Sequence, residues 1–433
     1  MKRSVKHFLG VSYFRTVGWA VLRFKLDRSP VMLPWFAWHA LTEPIDRVHK
    51  LAMELDQANM RGGAFLWCRT ILWLIIVPLM ALARLGKHGG WVRRERGIGL
   101  FRQFVTMLTL GYKYNVLPEY YYQFRPFIKQ DLASARYYVQ HHEQMVLLKR
   151  LNEGTDLELA GDKLRFFRFC EANGLSTAPI TAFFENGRLV EWMGHDGQKI
   201  PPRDAFLKPT DGCHGAGAEC WHYHRDQKLW ERDGVRLDED GLLAHCSRLS
   251  EKRPIILQPR LVNSDTFARF TSGALATLRI ITYRFQNEAP RFLTARLGIP
   301  TGGMIVDHDD SSLGAGVAFD DGVMTCAVSK TITAGTWQSH PDTGCQIEGV
   351  KLEGFHDVVR LCLRAHALTP QYTFVGWDST MTLDGPVLME ANLMWGQSSS
   401  QDFQQTPLGR TPYAECLLAS LQGAEAEAAG PQQ

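Results

Sequence analysis

None of the nine cysteines forms a CxxC pair, and their number is odd. That pattern excludes the usual zinc frameworks and a secreted disulfide scaffold, and argues for reduced thiols in the cytosol. Long apolar runs are also missing. The most apolar stretch, Thr70–Ala83 (TILWLIIVPLMALA), has 14 uncharged residues, where a membrane-spanning helix needs about 20. Lengthening it through Ala64–Cys68 places Arg69 inside. No cleavable signal peptide is expected, because Lys6, Arg15 and Arg23 interrupt any apolar core behind Met1-Lys2-Arg3. The GxxxxGK[ST] spacing of a P-loop occurs nowhere in the chain. Acidic residues are scarce at the front: residues 1–130 hold 7 Asp/Glu against 20 Lys/Arg, and residues 131–433 hold 38 against 28.

What is present is a chain of 433 residues, 45% hydrophobic and 21% charged, long enough for two or three domains and neither disordered nor fibrous. Its basic, Trp-rich front suggests a part that touches something anionic, joined to an acidic body that does the chemistry. Behind the apolar stretch come Arg84, Lys87, Arg93, Arg94, Arg96 and Arg102, opposed only by Glu95. Such a cluster suits the anionic headgroups of a cytoplasmic leaflet, with Trp67, Trp73 and Trp91 at the interface. A buried helix of a soluble helical domain or a true span accounts for the same residues, and the sequence leaves the three open. The aromatics do not alternate with the basic residues and no nucleic-acid motif is present, so no nucleic-acid partner is expected.

The segment Asp131–Arg150 predicts a linking helix, with the domain boundary near 130–150. Beyond it, Lys163–Asn173 has helical spacing, with Asp162 as N-cap and Asn173-Gly174 as a stop. Ile180–Phe184 and Arg188–Trp192 predict a hairpin around Glu185-Asn186-Gly187. A strand ending in Lys208-Pro209 leads into a loop carrying Gly212, Gly215 and Gly217, and a further strand follows from Ala218. Glycines there let backbone N–H groups approach phosphate oxygens, and a nearby lysine neutralises them; an ordinary turn has the same composition.

Pro254–Leu261 predicts a short buried strand that breaks at Gln258-Pro259. In Ala276–Phe285, Arg279 lies among apolar residues, where it needs a carboxylate partner or a ligand. Phe374–Asp378 predicts a strand ending in a carboxylate, and Val387–Asn392 returns beside it. Glu390 and Asn392, two residues apart, share a face with each other and adjoin Asp378. That all-oxygen set suits Mg²⁺ with phosphates and waters, although capping or turn roles use the same residues. His222 and His224 share a strand face near His214, Cys213 and Cys220, but no complete zinc set is evident and a surface role is expected. Gly302–His308, Gly314–Gly316 and Trp395–Asp402, with Ser398, Ser399 and Ser400, are candidates for a substrate pocket.

Taken in order, these parts resemble the ATP-grasp superfamily. TLRIIT at 277–282, HPDTG at 340–344, and VGWD with GPVLMEAN within 375–392 resemble its sugar-transfer-associated family, related to alpha-L-glutamate ligase-like proteins. The resemblance implies an α+β protein of ATP-grasp fold, two α+β subdomains clasping ATP between antiparallel sheets. It would occupy residues 155–420, behind a mainly helical basic leader at 1–130 and a linking helix at 131–154, with a disordered tail at 421–433. It implies Lys163 and Lys208 on the nucleotide phosphates, with Gly212, Gly215 and Gly217 closing over them. It further implies Gln258, Arg260 and Leu261 at the adenine hinge, and Asp378, Glu390 and Asn392 on Mg²⁺. Arg279 and Arg296 would steady the transferring phosphoryl group or the acyl intermediate. The hinge departs from the pattern, because Gln258-Pro259-Arg260 stands where many relatives carry an acidic residue.

The activity implied is an ADP-forming ligase joining a small-molecule carboxylate to a sugar- or amine-bearing acceptor. Its setting would be polysaccharide or cell-envelope biosynthesis, peripheral on the cytoplasmic face of the cell membrane. A kinase acting on a hydroxyl, or a catalytically weak nucleotide-binding scaffold for membrane glycosyltransferases, would use the same residues.

Overall fold

The computed structural model describes residues 42–58, 63–126, 132–194, 199–211, 217–286, 288–302, 312–329, 335–397, 401–404 and 406–429. Two compact units arise: one from the chain up to Leu151 with Thr406–Gln422, the other from Asn152–Gln405 with the end of the chain from Gly423.

The first unit is helical: α1 (Pro44–Ala58), α2 (Gly63–Arg84), α3 (Gly90–Arg96), α4 (Leu100–Lys113), α5 (Pro118–Gln123) and α6 (His141–Leu151). The apolar stretch forms most of α2. Its residues Trp73, Val77 and Ala81, spaced i, i+4, i+8, are buried. They pack where α4 offers Gly111, at which a Cβ would stand 2.6 Å from Val77 Cγ1. Trp73 therefore lies inside the unit, its indole N–H 3.4 Å from the Gly111 carbonyl, and not at an interface as its position in the sequence suggests. Arg84 is likewise engaged, paired with Glu119.

The expected linking helix is broken. A 3₁₀ turn, Ala133–Tyr137, precedes α6. Between them Gln140 turns its side chain to Leu117 N (3.0 Å) and Asn115 O (3.0 Å), while Glu143 accepts from Gln140 N (2.8 Å). That return bond is one half of a capping box, and it starts a new helix instead of continuing an old one. Residues 406–422 belong with this unit, although the resemblance suggested one domain to 420. Arg410 stacks 3.5 Å above the Tyr137 ring, and a Cβ on Gly409 would meet Ile45 at 2.7 Å. A helix then runs Tyr413–Ala429, where a disordered tail from 421 was expected; residues 430–433 lie outside the described ones.

The second unit is α+β, the class expected. Its first sheet holds β1 (Ala182–Glu185), β2 (Arg188–Trp192), β3 (Ala205–Pro209), β4 (Glu219–His224), β5 (Leu229–Arg232), β6 (Val235–Leu237) and β7 (Ile255–Pro259). Its second holds β8 (Thr277–Tyr283), β9 (Arg291–Ile299), β10 (Leu313–Gly316), β11 (Ala327–Ser329), β12 (Thr336–Trp337), β13 (Phe374–Thr382) and β14 (Gly385–Asn392). The seven-stranded orders are β2-β1-β7-β3-β4-β5-β6 and β12-β11-β10-β9-β8-β13-β14, and neighbouring strands pair antiparallel. Helix α7 (Lys163–Ala172) precedes β1, α8 (Glu239–Ser250) lies between β6 and β7, and α9 (Phe355–Ala367) precedes β13. The predicted hairpin is β1–β2. Asn186 (φ 51°) and Gly187 (φ 76°) are both left-handed, the conformation of the tight turn that suits strand twist.

Alternation in the second sheet sends Leu278, Ile280, Ala295, Leu297, Trp377 and Ala391 into a core shared with Val358, Leu361 and Cys362 of α9. Inside that core Trp377 Nε1 donates to Thr282 Oγ1 (2.8 Å). Thr282 Oγ1 lies 2.7 Å from His366 Nδ1, and His366 Nε2 lies 2.9 Å from the Tyr372 carbonyl. A carbonyl can only accept, so Nε2 carries the proton and the chain has one direction. Burial pushes His366 down to about 4.

Candidate functional site

The alternate positions of the same strands face away from that core, and register brings them into a line. Glu390 stands opposite Asp378 across β14–β13, Asp378 opposite Arg279 across β13–β8, and Arg279 opposite Arg296 across β8–β9. Gly316 of β10 completes the row beside Arg296. Two carboxylates followed by two guanidiniums thus cross four strands on one face.

The partners within the row are specific. Arg279 grips Asp378 with Nε and with Nη2, the latter 2.9 Å from Oδ2. Asn392 donates Nδ2 to the same Oδ2 at 3.2 Å. Asp378 is the middle of β13 and not its end as expected. The strand continues because Ser379 and Thr380 hydrogen-bond to the Leu278 and Ala276 carbonyls (2.7 and 2.8 Å), and a bulge after Asp378 absorbs the change of register. Arg296 lies over the Phe403 ring at 5.1 Å. Gly316 is required there, since a Cβ would sit 2.5 Å from Gln404 Cγ. Gln404 is held by its own bonds to the Ala295 and Val317 carbonyls (2.7 and 2.9 Å).

Two lysines complete the cluster from the other elements. Asp162 caps α7 by accepting from Arg165 N at 2.8 Å. Lys163 N bonds to Thr210 O just beyond β3 (3.0 Å), which brings the helix start to the strand that carries Lys208. Lys163 Nζ then lies 3.5 Å from Glu390 Oε2. Burial, with Lys163 nearby, pushes the Lys208 ammonium down to about 8 against the pull of Glu390 and Asp378. Burial also raises the Asp378 carboxyl; Arg279 opposes the rise and Glu390 adds to it.

Seven of the expected site residues are therefore found in or beside one charged row: Lys163, Lys208, Arg279, Arg296, Asp378, Glu390 and Asn392. The hinge residues are engaged elsewhere. Gln258 donates Nε2 to the Ala178 and Pro179 carbonyls (3.3 and 3.1 Å). Arg260 bonds through N to Asp204 O (2.8 Å) and through Nη1 to Asp204 Oδ2 (3.1 Å), while Leu261 is half-buried. Of the flap, Gly217 has the left-handed φ of 79°; Gly212 and Gly215, with Cys213 and His214, lie outside the described residues. So do 303–308 and Ser398, Ser399 and Ser400 of the suggested pocket. His222 and His224 each face a carboxylate, Asp204 at 2.9 Å and Glu231 at 3.2 Å.

Two carboxylates and one amide are the oxygen donors of the row, and among the described residues no group of three or more His, Cys, Asp or Glu could hold a metal. The donor types fit Mg²⁺, which keeps waters and phosphate oxygens in most of its positions. Asp378 Oδ2 already accepts from both Arg279 and Asn392, so the lone pairs open to a metal are on Asp378 Oδ1 and on Glu390. Asn392 would have to turn its amide over to offer oxygen.

Sequence reasoning missed Asp204, Phe403 and Gln404. Asp204 precedes β3 and joins Arg260, His222 and the Tyr223 backbone (2.9 Å); Phe403 and Gln404 follow an unremarkable polar stretch. Nothing local marks them, since each acts on a residue distant in sequence.

The family profile described as sugar-transfer associated ATP-grasp matches residues 143–408. No curated protein matches the chain. Among solved structures, the L-amino acid ligase from Bacillus licheniformis is similar at 14% identity, over 60% of this chain and 48% of that one, with a TM-score of 0.34. The D-alanine–D-alanine ligase from Bacillus anthracis complexed with ATP is similar at 11% identity, over 62% and 68%, with a TM-score of 0.36. The chain spans about half the length of the first of these.

Proposed function

We propose, since the chain belongs to the sugar-transfer associated ATP-grasp family, that it is an ADP-forming ligase whose charged row receives the phosphates of ATP. The observation that carries this reading is the alignment of Glu390, Asp378, Arg279 and Arg296 on one sheet face, with Lys163 beside Glu390. We assign catalysis to Asn152–Gln405, with Lys163 and Lys208 binding the phosphates under the Gly212–Gly217 flap. Asp378, Glu390 and a turned Asn392 would hold Mg²⁺, which neutralises phosphate charge when bound. Residues Gln258–Leu261 would border adenine through backbone groups and apolar contact, because the Gln258 and Arg260 side chains are committed to the fold.

Chemistry at such a site is positioning and charge neutralisation. A substrate carboxylate oxygen attacks the γ-phosphorus, the bond to the β-bridging oxygen breaks, and ADP leaves with an acyl phosphate formed. The amine or hydroxyl of a sugar- or amine-bearing acceptor then attacks the acyl carbon, orthophosphate departs, and the acceptor proton is lost to solvent. Arg279 and Arg296 hold the equatorial oxygens in the first step and the departing phosphate in the second. No base is needed to start, as a carboxylate is already ionised at neutral pH. The setting we propose is cell-envelope polysaccharide synthesis on the cytoplasmic membrane surface, reached through residues 1–130.

ADP and orthophosphate should appear together only when a carboxylate and an acceptor are both supplied with Mg²⁺ and ATP, as read by mass spectrometry of cell-extract reactions. A phosphorylated acceptor without orthophosphate would make the protein a kinase. Intact cellular function with Lys208→Ala and Glu390→Ala would leave only the scaffold.

A further inference from the structure

Resting on the membrane reading just given, we infer that the contact is a two-helix face of α2 and α4, lying in one leaflet and not spanning the bilayer, that takes anionic lipid. Among the described residues the helical stretch Leu72–Arg96 is long and apolar enough to cross a membrane. Its two sides, however, are already divided. Trp73, Val77 and Ala81 are sealed inside the unit, whereas Leu72, Ile75, Leu79 and Leu82 are exposed on the opposite side, Ile75 by 56%. Helix α4 is split in the same way. Gln103, Met107 and Leu110 are buried; Phe101, exposed by 80%, and Val105 lie outward. With Leu108 and Tyr112 they make a stripe spaced i, i+4, i+7, i+11.

The two stripes adjoin where Tyr112 OH donates to the Leu74 carbonyl at 2.7 Å, beside a shallow groove lined by Val105, Leu108, Thr109, Tyr112 and Lys113. Hydroxyls on this face are turned inward as well. Thr109, which lines the groove, donates to the Val105 carbonyl of its own helix (3.0 Å). A surface with satisfied hydroxyls and exposed Phe, Leu, Ile and Val suits acyl chains.

Charge selects the lipid. Lys87, Arg93, Arg94, Arg96, Arg102 and Lys113 are exposed around these helices, and Glu95 is the one acid among them. A second copy on the same face would bring two basic rims together, which disfavours self-association. A span would carry α4, with Arg102 and Lys113 near its ends, into the bilayer with α2, because burial of Trp73 and Val77 ties the two helices.

The test is flotation of the full chain with vesicles of phosphatidylcholine alone and of phosphatidylcholine mixed with phosphatidylglycerol. Wild type should float with the mixed vesicles and less with the neutral ones, and added salt should weaken it. Ile75→Asp and Phe101→Asp should each weaken binding by about tenfold or more. The joint variant Arg93→Glu, Arg94→Glu should remove the preference for phosphatidylglycerol. Phe101→Gln serves if the aspartate variant melts early. If wild type does not float, the membrane reading itself fails. If wild type floats and the Ile75 and Phe101 variants float equally well, that reading survives and the α2–α4 face is wrong. Resistance of the wild type in cell membranes to alkaline carbonate would mean a span, and a dimer dissolved by Phe101→Asp would mean a second copy; either overturns the inference.

Discussion

Arg279 and Asp378 stand directly opposite each other on β8 and β13, and the guanidinium grips the carboxylate with two of its nitrogens. Each has a like-charged neighbour on its other side, Arg296 and Glu390. Removing either partner leaves the other next to its own sign. Arg279→Met and Asp378→Asn should each destabilise the fold, but the double variant should lose less than their sum. A double-mutant cycle by thermal or urea unfolding should give a coupling of about 1–3 kcal/mol. Turnover in Arg279→Met should fall by about a hundredfold or more, as expected for a lost charge donor to the reacting phosphate.

Lys208 should take up a proton when nucleotide binds. Its ammonium is pushed down to about 8 by burial and Lys163, so at about pH 8.5 a large part of the free protein holds it neutral. Phosphate oxygens favour the charged form. Calorimetry of ATP binding in buffers of different ionisation enthalpy should therefore show net proton uptake at that pH, lost in Lys208→Met. The sign for folding follows from the same depression. The unfolded lysine keeps its proton up to 10.5, so the stability contribution of Lys208 rises with pH between about 8 and 10.5. Lys208→Met should accordingly leave the empty protein at least as stable at neutral pH while weakening nucleotide binding.

Much of this site was legible in the sequence because its signals are local. Asp162 before an apolar-periodic run, Asn186-Gly187 between strands, and Glu390 with Asn392 two apart each fix a conformation within a few residues. The order of motifs then supplied their partners. What could not be read was the register across β14, β13, β8 and β9, which depends on a bulge after Asp378 and on Thr and Ser hydroxyls that bond neighbouring strands. Gln258 and Arg260 show the reverse problem. Their place in the chain matched a hinge, but Asp204 and the Ala178 and Pro179 carbonyls claim their side chains. Trp73 faced inward for a similar reason: helical periodicity fixes two faces of α2, and packing against α4 decides which one is sealed.

Glu390 should tune Asp378. The two carboxylates are opposite in register, and Glu390 adds to the rise that burial imposes on Asp378. In Glu390→Gln the Asp378 carboxyl should titrate at lower pH, as carbon NMR of labelled aspartate would show. Mg²⁺ dependence of nucleotide binding should weaken at the same time, because one anionic donor is gone and Lys163 loses its partner at 3.5 Å. An unchanged Mg²⁺ titration would remove Glu390 from the proposed metal set.

His366 should make the second unit acid-sensitive. Its folded value of about 4 lies below the ordinary 6.5 because it is buried neutral between Thr282 and the Tyr372 carbonyl. The unfolded chain therefore binds the proton first, and stability falls as pH drops from 6.5 toward 4, by up to about 3 kcal/mol. Below that window the contribution is fully lost. His366→Gln lacks the titrating group and should show a shallower loss over the same range in pH-dependent unfolding, even if it begins less stable at neutral pH.

Gly316 ends the charged row, and its missing side chain is what lets Gln404 and Phe403 close over Arg296. A Cβ there would meet Gln404 Cγ at 2.5 Å and Gln404 Cα at 2.9 Å. A flexible side chain can move aside, but Cα belongs to the backbone, and Gln404 is fixed by two carbonyls on β9 and just after β10. Gly316→Ala should thus cost about 1–3 kcal/mol through forced displacement. It should also loosen the Phe403 ring from Arg296, which lie 5.1 Å apart. The displaced guanidinium would hold the reacting phosphate less well, so turnover should drop by a larger factor than nucleotide affinity. Phe403→Leu should reproduce that split without the clash. If both variants lowered affinity and left turnover unchanged, Arg296 would act in ground-state binding alone.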